Sequence, residues 1–144
     1  MTTWAVVANS ARARIYALER RGAALQELTD LIHAEARLKG HELETDRPGR
    51  SFDSAGQGRH AMEPSLDPRK EEAARFAREV AEQLESGYHA HRFEKLCVIA
   101  PPTFLGLLRQ ALDTPISRAV VGELDKDLTH EGTDRIAAEV WAML

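Results

Sequence analysis

The sequence predicts a single α/β domain over residues 1–144, with a five-stranded mixed sheet between helices in three layers. Three observations lead to this fold class. Short continuous apolar runs are too brief for helices and indicate strands that are buried on both faces. Segments with apolar residues three and four positions apart indicate amphipathic helices, which alternate with strands in the second half of the chain. A length of 144 residues suits one hydrophobic core.

The first part of the chain is predicted to form an antiparallel meander. Residues 4–8 are continuously apolar and indicate a central strand. Residues 11–16 alternate apolar and polar side chains, which indicates a second strand joined to the first by a hairpin. The leucine spacing in residues 24–32 suits a third strand, although it also suits a helical turn.

The second part is predicted to alternate helices and strands. A helix is expected to begin at Pro68, after an aspartate at the N-cap position, and to end at Gly87. Residues 96–100 indicate a buried strand, residues 104–112 a short apolar helix and residues 116–121 the fifth strand, before a last amphipathic helix. Right-handed crossovers make the later strands parallel neighbours. This arrangement is shared by ribonuclease-H-like domains and related domains of the translational machinery.

Composition limits the classes of function. The chain is 43% hydrophobic and 29% charged, with a net charge of -4, so an RNA-binding role would require a local basic patch. Its single cysteine, Cys97, lies in a predicted strand and cannot form an internal disulfide. The first apolar run is short and no basic residue precedes it. We therefore expect neither a signal peptide nor a spanning helix, no membrane partner, and a cytoplasmic location.

Residues 40–67 have little periodicity and are predicted to form a long polar loop, which is usually functional or disordered. Within it Gln57 lies between Gly56 and Gly58. A glutamine in this setting can orient a water while nearby backbone N–H groups stabilise an oxyanion, which makes Gln57 the candidate catalytic residue. The alternative is a flexible turn without chemistry.

The candidate RNA- or ligand-binding residues are side chains that can contact phosphate or line a polar site, together with the loop glycines. They are Arg12, Arg14, Arg50, Asp53, Gly56, Gly58, Arg59, His60, Glu63, Lys126 and Asp127. Arginines of this kind contact phosphates in structured RNA. Lys126 and Asp127 follow the carboxyl end of a strand, where open α/β sheets often bind ligands.

Each of these groups has an alternative explanation. The three arginines of residues 40–67 are outnumbered by six carboxylates, so they would equally pair with acids. Lys126 and Asp127 would equally form a salt-bridged turn. We expect no metal and no cofactor, because the histidines follow no ligand spacing and the central strands lack the carboxylates of a two-metal nuclease.

Several separated blocks resemble the family named "protein required for attachment to host cells". They are residues 49–54 (GRSFDS), 58–64 (GRHAMEP), 67–69 (DPR), 75–77 (RFA), 100–102 (APP) and 122–129 (GELDKDLT). That family in turn resembles the middle domain of archaeal and eukaryotic class-one peptide release factors, whose Gly-Gly-Gln loop precedes a helix. Here residues 55–59 read AGQGR, so an alanine replaces the first glycine and release chemistry is not carried over.

The resemblance implies a translation-associated protein that binds the ribosome or structured RNA through residues 47–63, without catalysis or with weak hydrolytic activity. The alternative is a cytoplasmic adaptor that acts on host attachment indirectly through a protein partner. The acidic net charge and the apolar last helix favour that alternative, and the helix is also compatible with a homo-oligomer. A surface adhesin would suit the family name, but it conflicts with the missing export signal.

Overall fold

The computed structural model describes residues 1–33 and 68–144. The five strands are β1 (Thr3–Ala8), β2 (Arg12–Leu18), β3 (Gln26–Ile32), β4 (Lys95–Ile99) and β5 (Val120–Leu124). The helices of these residues are α1 (Pro68–His89), α2 (Pro102–Ala111), α3 (Thr114–Ala119) and α4 (Thr133–Met143). Among these helices, none combines the length and the apolar character that crossing a lipid bilayer requires.

The strands form one mixed sheet in the order β3-β2-β1-β4-β5. The hairpins β1–β2 and β2–β3 are antiparallel, whereas β4 pairs in parallel with β1 and with β5. In register, Val6 of β1 lies between Ile15 of β2 and Val98 of β4. The predicted five-stranded mixed sheet, with an antiparallel meander followed by parallel strands, is therefore confirmed.

Alternate residues of β1 enter two separate hydrophobic clusters, one on each face of the sheet. Val6 packs with residues of α1, α2 and α3, including Phe76, Leu108 and Ile116. Val7 belongs to the opposite cluster, which includes Val140 of α4. All six residues of β1 are buried, as the continuous apolar run predicted. The helices thus cover both faces of the sheet and make three layers.

The predicted fifth strand is wrong at its start. Residues 116–119 belong to α3, and β5 begins only at Val120. The Asp113 side chain accepts a hydrogen bond from the Ile116 N–H at 3.2 Å and so caps a short helix that the sequence did not predict. This helix buries Ile116 and Ala119, three positions apart, against the sheet. The predicted polar loop at 40–67 lies outside the described residues.

Close packing of α1 on β1 depends on Gly87. A Cβ atom at this position would lie 2.4 Å from Cη2 of Trp4. The indole ring stacks on Phe93 with centroids 4.6 Å apart, and the Arg92 guanidinium carbon lies 5.1 Å from the ring centroid. Trp4 is only 4% exposed. The absence of a side chain at Gly87 therefore allows the helix to approach the indole closely.

Candidate functional site

A cleft of about 500 Å³ lies at the edge of the sheet where the parallel strands end. The chain leaves the neighbouring strands β1 and β4 in opposite directions, toward β2 and toward β5. Such a divergence opens a crevice at the carboxyl ends of the strands, which is where open α/β sheets bind ligands. The turn after β1, the first turns of α1 and α2, and Asp127 beyond β5 line the cleft.

Two cationic side chains lie at the mouth of the cleft. Arg69 and Lys70 line it from the first turn of α1, and both side chains are exposed. On the other side α2 begins after Pro101, which provides no side-chain cap. The N-terminal end of a helix carries a partial positive charge and unbonded N–H groups, so α2 adds to the field of the two cationic side chains.

Apolar side chains lie deeper along the same two helices. Ala73 follows Lys70 by three positions on α1, and Leu107 follows Thr103 by four positions on α2, so each pair shares one helix face. Phe104 completes this wall, and its ring is held against Phe76 with centroids 6.0 Å apart. The cleft therefore has a polar, cationic mouth and an apolar interior.

Asn9 joins the turn after β1 to the segment after β5. Its Oδ1 accepts hydrogen bonds from the backbone N–H groups of Ala11 at 2.8 Å and of Arg12 at 2.9 Å. Its Nδ2 donates to Oδ2 of Asp127 and to Oγ1 of Thr129, both at 3.0 Å. One amide side chain thus fixes the shape of the turn and the position of the strand-end segment beside it.

The Asp127 carboxylate is an ionised hydrogen-bond acceptor at the wall of the cleft. Partial burial by itself would raise its pKa, but the hydrogen bonds from Asn9 and Thr129 lower the pKa below the ordinary value. Thr129 supplies two of these bonds, from its N–H at 3.0 Å and from its hydroxyl at 2.6 Å. Asp127 therefore keeps its negative charge at neutral pH.

Arg12 and Arg14 lie on one face of β2, as predicted, and each pairs with a carboxylate of β3. Arg12 donates to both oxygens of Asp30, at 2.9 and 2.7 Å, and lowers the pKa of that carboxyl. Arg14 contacts Glu27 at 3.4 Å and donates to the carbonyl oxygens of Thr129 and Glu131. These contacts agree with the alternative of paired charge, and phosphate binding by either arginine stays a prediction.

A buried polar contact lies close to the cleft. Nε2 of His33 lies 3.3 Å from Oε2 of Glu72, and both side chains are about 5% exposed. Arg75 approaches the second oxygen of Glu72 at 3.2 Å, and the His33 ring stacks on Phe76. The backbone N–H of His33 also donates a hydrogen bond to the backbone carbonyl of Ala11 at 2.9 Å. The end of β3 is thereby attached to the first turns of α1.

The remaining predicted site residues have different positions. Lys126 and Asp127 are both exposed, and of the two Asp127 lines the cleft. The Asp127 carboxylate accepts hydrogen bonds from Asn9 and Thr129. These partners are uncharged, whereas a salt-bridged turn would pair the carboxylate with a basic side chain. The other predicted site residues lie outside the described part of the chain: Arg50, Asp53, Gly56, Gln57, Gly58, Arg59, His60 and Glu63.

Sequence reasoning missed most of the cleft. Arg69 belongs to a block that carries the family resemblance, and Lys70 follows it, but neither is among the predicted binding residues. No pattern in the sequence indicates a role for Asn9 or for Thr103. Across residues 1–33 and 68–144, no group of three or more histidine, cysteine, aspartate or glutamate side chains is placed to hold a metal ion.

Comparison with known proteins gives a family and a fold. A family model described as "Protein required for attachment to host cells" matches residues 4–140. An uncharacterized protein of Rickettsia prowazekii is 32% identical over 83 residues, so the match spans 56% of this chain and about half (55%) of that relative. Among solved structures, the archaeal translation termination factor aRF1 is similar over 99% of this chain, with a TM-score of 0.54 and 13% identity. The match covers 36% of that factor and concerns the fold.

Proposed function

Since the chain belongs to the family of proteins required for attachment to host cells, and shares its fold with part of a translation termination factor, we propose that it binds RNA in translation. Both resemblances predicted from the sequence are confirmed. The proposed binding site is the cleft at the carboxyl ends of β1 and β4, and the proposed partner is ribosomal or other structured RNA in the cytoplasm.

The observation that carries this proposal is the local positive charge at the cleft mouth. The whole chain has a net charge of -4, which disfavours RNA binding by bulk electrostatics. Arg69, Lys70 and the N-terminal end of α2 nevertheless converge on one cleft. Cationic side chains and helix N-termini are the groups that contact phosphates in protein–nucleic acid complexes. These two cations and the helix end support a local basic surface, beside the single carboxylate of Asp127.

The same geometry supports binding more than catalysis. The Asp127 carboxylate accepts hydrogen bonds from Asn9 and Thr129, so these three groups hold one another in a fixed arrangement. Phosphate contacts at the mouth would set the position of the RNA, and Ser10 and Thr103 would supply hydrogen bonds to base or sugar. A catalytic role for Gln57 stays a prediction.

The test compares RNA binding by two lysine variants. Each removes one positive charge, one at the carboxyl ends of the parallel strands and one at their amino ends. Lys70 lines the cleft, whereas Lys95 is exposed at the amino end of β4. We expect Lys70→Ala to weaken binding of a labelled ribosomal RNA fragment several-fold and to reduce the slope of log affinity against log salt by about 1. Lys95→Ala should leave both quantities unchanged.

Ribosome co-sedimentation at moderate salt provides a second readout in cell extract. Protein that never appears in a ribosomal fraction, together with RNA affinity that does not depend on salt, would refute the proposal. Equal losses in Lys70→Ala and Lys95→Ala would show that general charge, and not the cleft, determines binding.

A protein-binding adaptor is the second candidate function, and the two edge strands favour it. Ile32 on β3 is 56% exposed and Val121 on β5 is 43% exposed. In the described part of the sheet β3 and β5 are the outer strands, and an outer strand can pair with a strand of another protein. A partner captured after ribonuclease treatment, and lost in Val121→Lys but not in Lys70→Ala, would favour the adaptor.

A further inference from the structure

The lining of the cleft indicates which part of an RNA it would take. We infer that it accepts one unpaired nucleotide, with the base against Ala73 and Leu107 and the phosphate at Lys70 and the N-terminal end of α2. The inference rests on the proposed function, because RNA is the source of that nucleotide. It implies a preference for single-stranded segments, such as loops and chain ends, over duplex RNA.

The arrangement of polar and apolar residues along the two helices is the first support. Lys70 on α1 and Thr103 on α2 are polar and exposed, whereas Ala73 and Leu107, one turn later on the same helix faces, are apolar and half-buried. A ligand that fits both regions has an anionic group outside and a flat apolar group inside. A nucleotide has this pattern, whereas an inorganic phosphate would leave the apolar wall uncovered.

The size of the cleft is the second support. A volume of about 500 Å³ lies within the range of roughly 300–1,000 Å³ that is usual for small-ligand sites. The base of a duplex is stacked and paired, so it cannot enter a cleft of this kind without leaving the helix. Proteins that read RNA sequence commonly take unstacked bases from loops and ends in this way.

Asp127 gives the third support, because it disfavours ligands that carry only negative charge. Its carboxylate lies beside Asn9 in the cleft lining. Its negative charge is opposite to the positive charge of Lys70, which lines the same cleft. A carboxylate at the end of a parallel strand is suited to accept hydrogen bonds from sugar hydroxyls or from a base amino group. A fatty acid has no donor for Asp127, whereas a nucleotide has donors on both sugar and base.

The decisive variant is Thr103→Glu, which places a carboxylate at the cleft mouth without burying it. Thr103 is exposed in the first turn of α2, where an acidic residue is favourable for the helix. Thr133→Glu is the matched control, because Thr133 is exposed in the first turn of α4 and is not part of the cleft lining. Both variants should keep the melting temperature of the wild-type protein.

The experiment compares a single-stranded oligonucleotide with a duplex of the same length, and adds nucleoside 5′-monophosphate or inorganic phosphate as competitor. We expect the single strand to bind at least about tenfold more tightly than the duplex. The nucleoside monophosphate should compete with the single strand, whereas inorganic phosphate at the same concentration should not. Thr103→Glu should lower the single-strand affinity about tenfold, and Thr133→Glu should not change it. Amide NMR shifts of residues 103–107 on addition of the monophosphate would locate the ligand.

The outcomes separate this inference from the proposed function. Equal binding of single strand and duplex, with no competition by the monophosphate, would overturn the inference and leave RNA binding intact. Binding of the monophosphate without any binding of RNA would support the cleft as a nucleotide site and overturn the proposed function. Absence of both kinds of binding would overturn both.

Discussion

The substitution Gly87→Ala tests how closely α1 packs on β1. The added Cβ would lie 2.4 Å from Cη2, 2.6 Å from Cζ3 and 3.2 Å from Cζ2 of Trp4. Non-bonded carbon atoms prefer separations of about 3.5–4.0 Å, so the indole or the helix must move by about 1 Å. The indole has little room to move, because it is buried between the helix and Phe93.

Two terms determine the expected change in stability. Overpacking of a filled core costs about 1–3 kcal/mol. Replacement of glycine by alanine in a helix contributes up to about 1 kcal/mol in the opposite direction. The net effect should be a loss of about 1–2 kcal/mol in the free energy of unfolding, which for a chain of this size lowers the melting temperature by roughly 2–8 °C.

Gly106→Ala is the matched control, because it makes the same change inside α2. A Cβ at Gly106 would meet no atom within 4 Å, so only the helix term remains and we expect a gain of about 0.5–1 kcal/mol. Urea unfolding followed by circular dichroism measures both variants. A Gly87→Ala protein as stable as Gly106→Ala would refute the close contact, and Trp4→Leu should reduce the penalty of Gly87→Ala in a double-mutant cycle.

Three further predictions follow from single side chains. Asn9→Ala should lower the free energy of unfolding by about 2–4 kcal/mol, since four hydrogen bonds of the side chain are lost; a loss below about 1 kcal/mol in urea unfolding would contradict the network. Burial raises the pKa of the Cys97 thiol to about 11, whereas an unfolded thiol titrates near pH 8.5. The free energy of unfolding should therefore be independent of this thiol's titration below about pH 8.5 and should fall as the pH rises toward 11. The Cys97→Ala variant should lack this fall. His91 has φ 59° after α1, so His91→Gly should raise the melting temperature through a gain of about 0.5–1 kcal/mol, and an unchanged value would show that the histidine is not strained.

The strands and the long helix were readable from the sequence because they depend on local patterns. The apolar run of residues 4–8 becomes the central strand, and Pro68 begins α1 as predicted. The helix at Thr114–Ala119 was not predicted, because the sequence Asp113-Thr114-Pro115 is also typical of a turn. The local sequence fits both a strand and a short capped helix. The helix forms because it buries Ile116, and that burial depends on the rest of the fold.

The cleft was less readable because its residues are distant in the chain. Asn9 bonds to residues 118 and 120 positions away, so no local pattern indicates its role. The general rule for strand ends did draw attention to Asp127, which lines the cleft. The partners of Arg12 and Arg14 depend on the pairing of β2 with β3, which shifts between Ile15 and Tyr16. A shift of this kind is set by the assembled sheet.

The contact between His33 and Glu72 has a consequence for the order in which the sheet opens. It attaches the end of β3, an outer strand, to the first turns of α1. Segments with few buried contacts open more readily than the core strands. Loss of this contact should therefore let β3 separate from the sheet before β1 and β4, which faster hydrogen exchange at the β3 amides would show.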